Sequence, residues 1–287
     1  SIYGEGDGRI DTEAFLAAFR KASLADLKAE DLPWLAMLDG LAAELEGKAE
    51  VASAAYQRAL ELTDQPMLRS HFEGLIMRQK LLASSTDEAL VAELRVKIDQ
   101  LDGQAAAYPF VQEYAVGLYG LGRIGEAIDA IDRELENTSA GYVSEEREQL
   151  VLLKGIILGA NSETGRVALK TLILNGRGRE TMGIALQLLA RVPNQDVDLL
   201  NFLKVVLSRN EPHLLQGQMY YLRSQLAMKM AQQGSVEERV GLMAIAESDA
   251  RTLLDQFPGL SQITNVYRLL AYAALERQPA QYRAAAD

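Results

Sequence analysis

Apolar side chains recur at i, i+3, i+4 and i+7 along almost the whole chain, the spacing of one helix face. The pattern is clear in DTEAFLAAFRKASL (11–24), LPWLAMLDGLAAELE (32–46), VASAAYQRALEL (51–62), LVAELRVKIDQL (90–101) and EAIDAIDREL (126–135). It continues in MGIALQLLARV (182–192), VDLLNFLKVVLSR (197–209), YYLRSQLAMKMAQQG (220–234), ERVGLMAIAESDARTLLDQFPG (238–259) and QITNVYRLLAYAALERQ (262–278). Period-two alternation, the mark of a half-buried strand, is nearly absent. The breaks are short: Gly47, TDQP (63–66), SST (84–86), AYP (107–109), Gly122/Gly125, NTSAG (137–141), RVPNQ (191–195), RNEP (209–212) and QFPG (256–259). Helices joined by turns this short fold back as antiparallel hairpins. So many of them outgrow a single bundle, and the expected architecture is all-α, with hairpins stacked into a solenoid.

Composition supports the helical reading. The 287 residues include 40 alanines and only 7 prolines. Ala loses no side-chain entropy in a helix, whereas Pro lacks the amide donor. A hydrophobic share of 48% excludes disorder as the main state. No apolar run reaches the ~18 residues of a membrane span; the nearest, VLLKGIILGA (151–160), is split by Lys154. With no cysteine, disulfides, zinc–thiolate sites and cysteine nucleophiles are excluded. The formal charge of −11 repels phosphate backbones, so no nucleic-acid partner is expected. Acids crowd the start: residues 1–64 carry thirteen Asp/Glu against six Lys/Arg, which reads as a solvated face or as attraction for a basic partner.

The hairpins also repeat. Gly40, Gly47, Ala52, Tyr56 and Ala59 follow one another at intervals of seven, five, four and three. Gly74 lies 34 residues after Gly40, and Ala115, Gly122, Ala127 and Ile131 restate the seven, five, four spacing. Small residues on one helix admit the aromatic of its neighbour. This pattern resembles the tetratricopeptide repeat, and the LLDQFPG ending (253–259) resembles repeats of bacterial envelope proteins of that kind. The resemblance implies a right-handed α-solenoid. It divides the chain into a lead-in with a first helix (1–30), repeats (31–174), an irregular hairpin (175–212) and further repeats (213–287). The step from Gly74 to Ala115 is 41 residues, so the second unit is expected to have a longer second helix or loop. Glu134 stands where the last small residue of its unit belongs, and the unit around Gly155 and Val167 is degenerate.

Candidate chemistry is sparse. EGDGRIDTEAF (5–15) is like half of a calcium loop, with Glu5, Asp7 and Gly8 in place. Tyr3 and Ala14 occupy ligand positions, however, so the expectation is an Asp11 or Thr12 helix cap. His71 and His213 have no ligand at i+4. GLYGLGRIG (117–125) lacks the Lys-Ser/Thr of a phosphate loop. NGRGRE (175–180) reads as a solvated turn, with a two-arginine phosphate nest as the sharper alternative. Glu145/Glu146 and Glu237/Glu238 read as first-turn residues favoured by the helix dipole. No enzyme active site, metal site or cofactor site is expected.

In tetratricopeptide proteins the first helices line a groove that holds a partner segment. By resemblance, the groove candidates are Trp34, Met37, Leu41 and Glu44 in the first unit, Leu68, His71, Leu75 and Arg78 in the second, and Gln112, Val116 and Tyr119 in the third. Apolar residues dominate, so an apolar or amphipathic protein segment is the expected partner. The Lys and Asn that clamp terminal carboxylates in chaperone-binding members are missing. The primary expectation is therefore a non-catalytic interaction scaffold. Two others stand beside it: a regulatory or targeting domain of a longer protein, and a small-molecule sensor built on Arg177, Arg179, Tyr220, Tyr221 and Arg223. The alanine-rich tail (269–287) looks weakly capped and leaves a homodimer open. The start shows no signal-like n- or h-region, so the compartment stays open between bacterial cytoplasm and periplasm.

Overall fold

The computed structural model describes residues 12–21, 28–84, 86–137, 143–209 and 211–276. Among these, fourteen α-helices and two 3₁₀ turns occur and no strand. The helices are α1 Thr12–Lys21, α2 Leu32–Leu45, α3 Ala49–Glu61, α4 Pro66–Ala83, α5 Glu88–Gln100, α6 Tyr108–Gly120 and α7 Ile124–Glu136. They continue as α8 Ser144–Leu158, α9 Glu163–Asn175, α10 Arg179–Ala190, α11 Asp196–Leu207, α12 Gln216–Gln233, α13 Val236–Gln256 and α14 Ile263–Glu276. No helix among the described residues is long and apolar enough to cross a membrane. Residues 5–11 of the calcium-loop-like segment, Asp11 among them, and the end of the alanine-rich tail lie outside the described residues, while Thr12 is the first residue of α1.

Contacts divide the chain into two compact units, the first ending at Ala168 and the second starting at Leu169. In the first unit α2 packs on α3, α3 on α4, α5 on α6, α6 on α7 and α7 on α8, while α4 also meets α6, and α6 meets α8. One core runs through it from Met77 and Leu81 on α4, through Leu94, Phe110 and Leu118, to Ile131 and Leu150. Phe72 and Tyr56 anchor smaller clusters on α2, α3 and α4. In the second unit α10 packs on α11, α11 on α12, α12 on α13 and α13 on α14, with α12 meeting α14. Its C-terminal cluster gathers Ala250, Leu253 and Val266 against Tyr220, Phe257 and Leu270.

The repeated spacing has a physical cause. The α2–α3 and α6–α7 turns are the same cap. Gly47 and Gly122 both take φ near +70° (73° and 72°), where only glycine sits without strain. In each, the next amide donates to the carbonyl five residues back, the 6→1 bond of a Schellman motif: Lys48 N to Ala43 O at 2.8 Å, and Arg123 N to Leu118 O at 2.9 Å. Seven residues before Gly47, a Cβ on Gly40 would overlap the ring of Tyr56. The missing side chain is what lets α3 lie close to α2.

One boundary differs from the sequence reading, and one expectation is resolved. The AYP break opens a helix: α5 already ends at Gln100, and Pro109 occupies the first turn of α6, where its missing N–H costs nothing. The long second unit owes its length to an 18-residue α4 and to the 101–107 connection with its 3₁₀ turn, while α5 has the same 13 residues as α3. The glutamate pairs do sit in first turns, of α8 and α13. Glu238 also completes a capping box with Ser235, donating groups being Ser235 N (3.0 Å) and Glu238 N (3.4 Å).

Candidate functional site

The groove candidates of the first unit fall into three kinds. Met37, Leu68 and Leu75 are half-buried against the Phe72 cluster and contribute to the core. Trp34, Val116 and Tyr119 stay open to solvent, Trp34 at 44% and Tyr119 at 50%. Leu41 and Gln112 are half-buried, and His71 is exposed. Trp34 meets Phe72 edge-on at 6.1 Å between ring centres, and His71 meets Phe72 at 5.7 Å, so one buried ring supports two surface rings from α2 and α4. Beside Trp34 an open cleft of about 450 Å³ is lined by Glu30, Asp31, Asp64, Gln65 and Leu68.

Glu44 and Arg78, 34 residues apart, are brought together. Arg78 Nη2 donates to both Glu44 oxygens, at 2.8 and 2.7 Å. The ring of Tyr56, fully buried over Gly40, carries its hydroxyl to the same carboxylate and donates to Glu44 Oε2 at 2.6 Å. Glycine at 40 thus positions the phenol, the phenol orients Glu44, and Glu44 holds Arg78. Burial first, then the hydrogen bond to Glu44, pushes the Tyr56 pKa well above the usual 10. Arg78 is itself held more basic than usual: burial opposes the charge, but Glu44 and then Glu113 more than offset it. Its Nε is fully buried and has no partner.

Glu113 of α6 was not among the sequence candidates, although its neighbour Gln112 was. Its residue surface is 7% exposed, and no hydrogen bond or ion pair reaches its carboxylate among the described residues. Burial raises its pKa to about 7; Arg78 works against that shift and Glu44 adds to it. The sequence does carry a signal for it. Three residues past Phe110 and four before Gly117, Glu113 lies on the stripe where the helical period calls for an apolar residue. Partial desolvation, with Arg78 two turns along α4, lowers the pKa of His71 below its ordinary 6.5.

In the second unit the small-molecule candidates are dispersed. Arg223 Nε and Nη2 donate to Asp249 Oδ2 and Oδ1 at 2.7 and 2.6 Å, with Asp249 only 2% exposed. The same guanidinium lies over the Tyr220 ring. Tyr221 Oη accepts from Gln225 and Asn265. Arg177 instead lines an open cleft of about 290 Å³ with Arg209, Glu211 and His213, while Arg179 sits at the start of α10. His213 is committed, its Nε2 on Ile173 O at 2.9 Å and its Nδ1 accepting from Leu215 N at 3.1 Å. Among the described residues no three His, Asp or Glu side chains converge as metal ligands do.

Compared with known proteins, the chain matches no family model, no curated protein and no solved structure.

Proposed function

We propose that the first unit is a non-catalytic scaffold of the tetratricopeptide kind, binding an apolar or amphipathic segment of a partner protein along α2, α4 and α6. The observation that carries this is the set of large apolar side chains left open on two of these helices: Trp34 in the first turn of α2, with Val116 and Tyr119 towards the end of α6. Aromatic side chains of this kind supply much of the energy at contact sites. The matching glycine caps at Gly47 and Gly122 and the 34-residue spacing of the Glu44–Arg78 pair support a repeat architecture in which first helices stand side by side.

Panning a displayed-peptide library against wild type and a Trp34→Ala/Tyr119→Ala variant tests this reading. Peptides kept by wild type and lost by the variant are the expected result; peptides kept equally by both would overturn it. Leu75 is a poor control, because its side chain packs into the core and its loss would report on folding.

A further inference from the structure

Three buried acids stand out among the described residues: Glu113, Glu134 and Asp249. Asp249 is held by Arg223, and Glu134 has interactions of its own. Glu113 has neither hydrogen bond nor ion pair, and the nearest guanidinium, Arg78, is committed to Glu44. Two carboxylates therefore share one guanidinium, and the unpaired one is more than nine-tenths buried. Such a group is costly unless something pairs with it. Its oxygens are not among the fully buried orphan atoms, so a thin line of access remains. The exposed Val116 and Tyr119 follow three and six residues later on the same helix.

We propose that Glu113 is the recognition point for a Lys or Arg side chain carried by the partner segment, seated beside Arg78 with apolar neighbours against Val116 and Tyr119. This rests on the binding face proposed above and specifies the chemistry of its occupant. A cation completes the pairing that the fold leaves open, and the surplus of acids (−11 overall) attracts basic segments from a distance. Arg78 acts on Glu113 only through space: its Nη2 goes to Glu44, which Tyr56 also holds, and no hydrogen bond joins it to Glu113.

Binding is then linked to pH. The groups acting on Glu113 are Arg78 of α4 and Glu44 of α2, and Tyr108 shares its own helix. Of the cations on neighbouring elements, Lys97 of α5 is paired with Glu73 and Lys154 of α8 with Asp132 of α7. Glu145 and Glu146 of α8 act on Tyr108. With Glu113 titrating at about 7, the carboxylate is mostly protonated at pH 6 and mostly ionised at pH 8, so a cationic segment binds about tenfold tighter at pH 8.

The test pans a displayed-peptide library at pH 8 with elution at pH 6. Enriched peptides, and counterparts with each Lys or Arg replaced by norleucine, are titrated by fluorescence anisotropy against wild type and Glu113→Gln, with thermal melts confirming both folds. The expected result is a basic residue in the enriched peptides and a roughly tenfold pH effect on wild type that Glu113→Gln abolishes. Norleucine replacement weakens binding to wild type and leaves Glu113→Gln unchanged. Enriched peptides without a base, or with affinity equal at both pH values, overturn the inference while the binding face stands. Retention of no peptide by wild type overturns both. The norleucine arm decides the matter even if the variant fails to fold.

Discussion

Each unit contains a partly or wholly buried arginine–carboxylate pair, and the two are built differently. Arg223 and Asp249 form a closed fork: two nitrogens meet two oxygens, the carboxylate is almost wholly covered, and the tyrosine ring beneath shields the cation. Arg78 spends one nitrogen on both Glu44 oxygens, leaves Nε without a partner, and stands beside a second carboxylate with none. A closed fork joins α12 to α13 and has no capacity left. The open arrangement on α2, α4 and α6 has capacity for one more cation. Unspent pairing beside exposed aromatics is what sets the proposed binding face apart from the joint between α12 and α13.

The comparison can be broken in order of expected effect. Arg223→Met leaves Asp249 buried without its cation, and should cost about 3–5 kcal/mol in urea unfolding. Joint replacement by Arg223→Met/Asp249→Leu should recover most of it. A cost below 1 kcal/mol for the single variant would show that the fork is not structural.

Glu113 should act in the opposite direction. Its pKa is about 7 in the folded chain and near the usual 4.5 when unfolded, so between those values the folded state holds a proton that the unfolded state has released. Stability therefore falls as pH rises from 4.5 to 7, by up to about 3 kcal/mol, and levels off above. Glu113→Gln should raise stability at pH 8 by a similar amount and flatten that slope. A wild-type stability curve already flat over this range would remove Glu113 as an unpaired acid.

Arg78→Met should cost about 1 kcal/mol, because Glu44 keeps Tyr56 and the pair is partly solvent-screened. It should also move the Glu113 titration to higher pH, as Arg78 is the group opposing its upward shift. A cost equal to that of Arg223→Met would erase the distinction between the two pairs. A comparably small effect on stability belongs to Trp34→Ala/Tyr119→Ala, about 1 kcal/mol, since Trp34 gives up its edge contact with Phe72 while Tyr119 is half exposed, although partner binding is expected to fall at least tenfold. A large drop in melting temperature would place these rings in the core instead.

Much of the fold was legible because helices announce themselves locally. The hairpins at 182–209 and 220–259 follow directly from apolar period and break residues, and the seven-residue step from Gly40 to Gly47 already marks a close approach followed by a left-handed cap. The candidate site was legible in part. Glu44 and Arg78 could be named from register, yet nothing local says that they meet, that Tyr56 binds the same carboxylate, or that Leu75 turns inward. Arg223 and Tyr220 could be named only as part of a small-molecule alternative, and nothing local says that Arg223 pairs with Asp249 across α12 and α13 or lies over the Tyr220 ring.

Sequence alone determined the helices, their caps and the spacing of close approaches, because each depends on interactions within a turn or two of the chain. Tertiary structure alone decided which charges are satisfied. Glu113 and Glu134 are the same residue type on neighbouring helices, and both are buried. Only the packing of α2, α4 and α6 leaves one of them facing a guanidinium already taken. Pairing of a charge depends on groups brought from distant parts of the chain and on the water excluded between them, and neither is written in the residue's own neighbourhood.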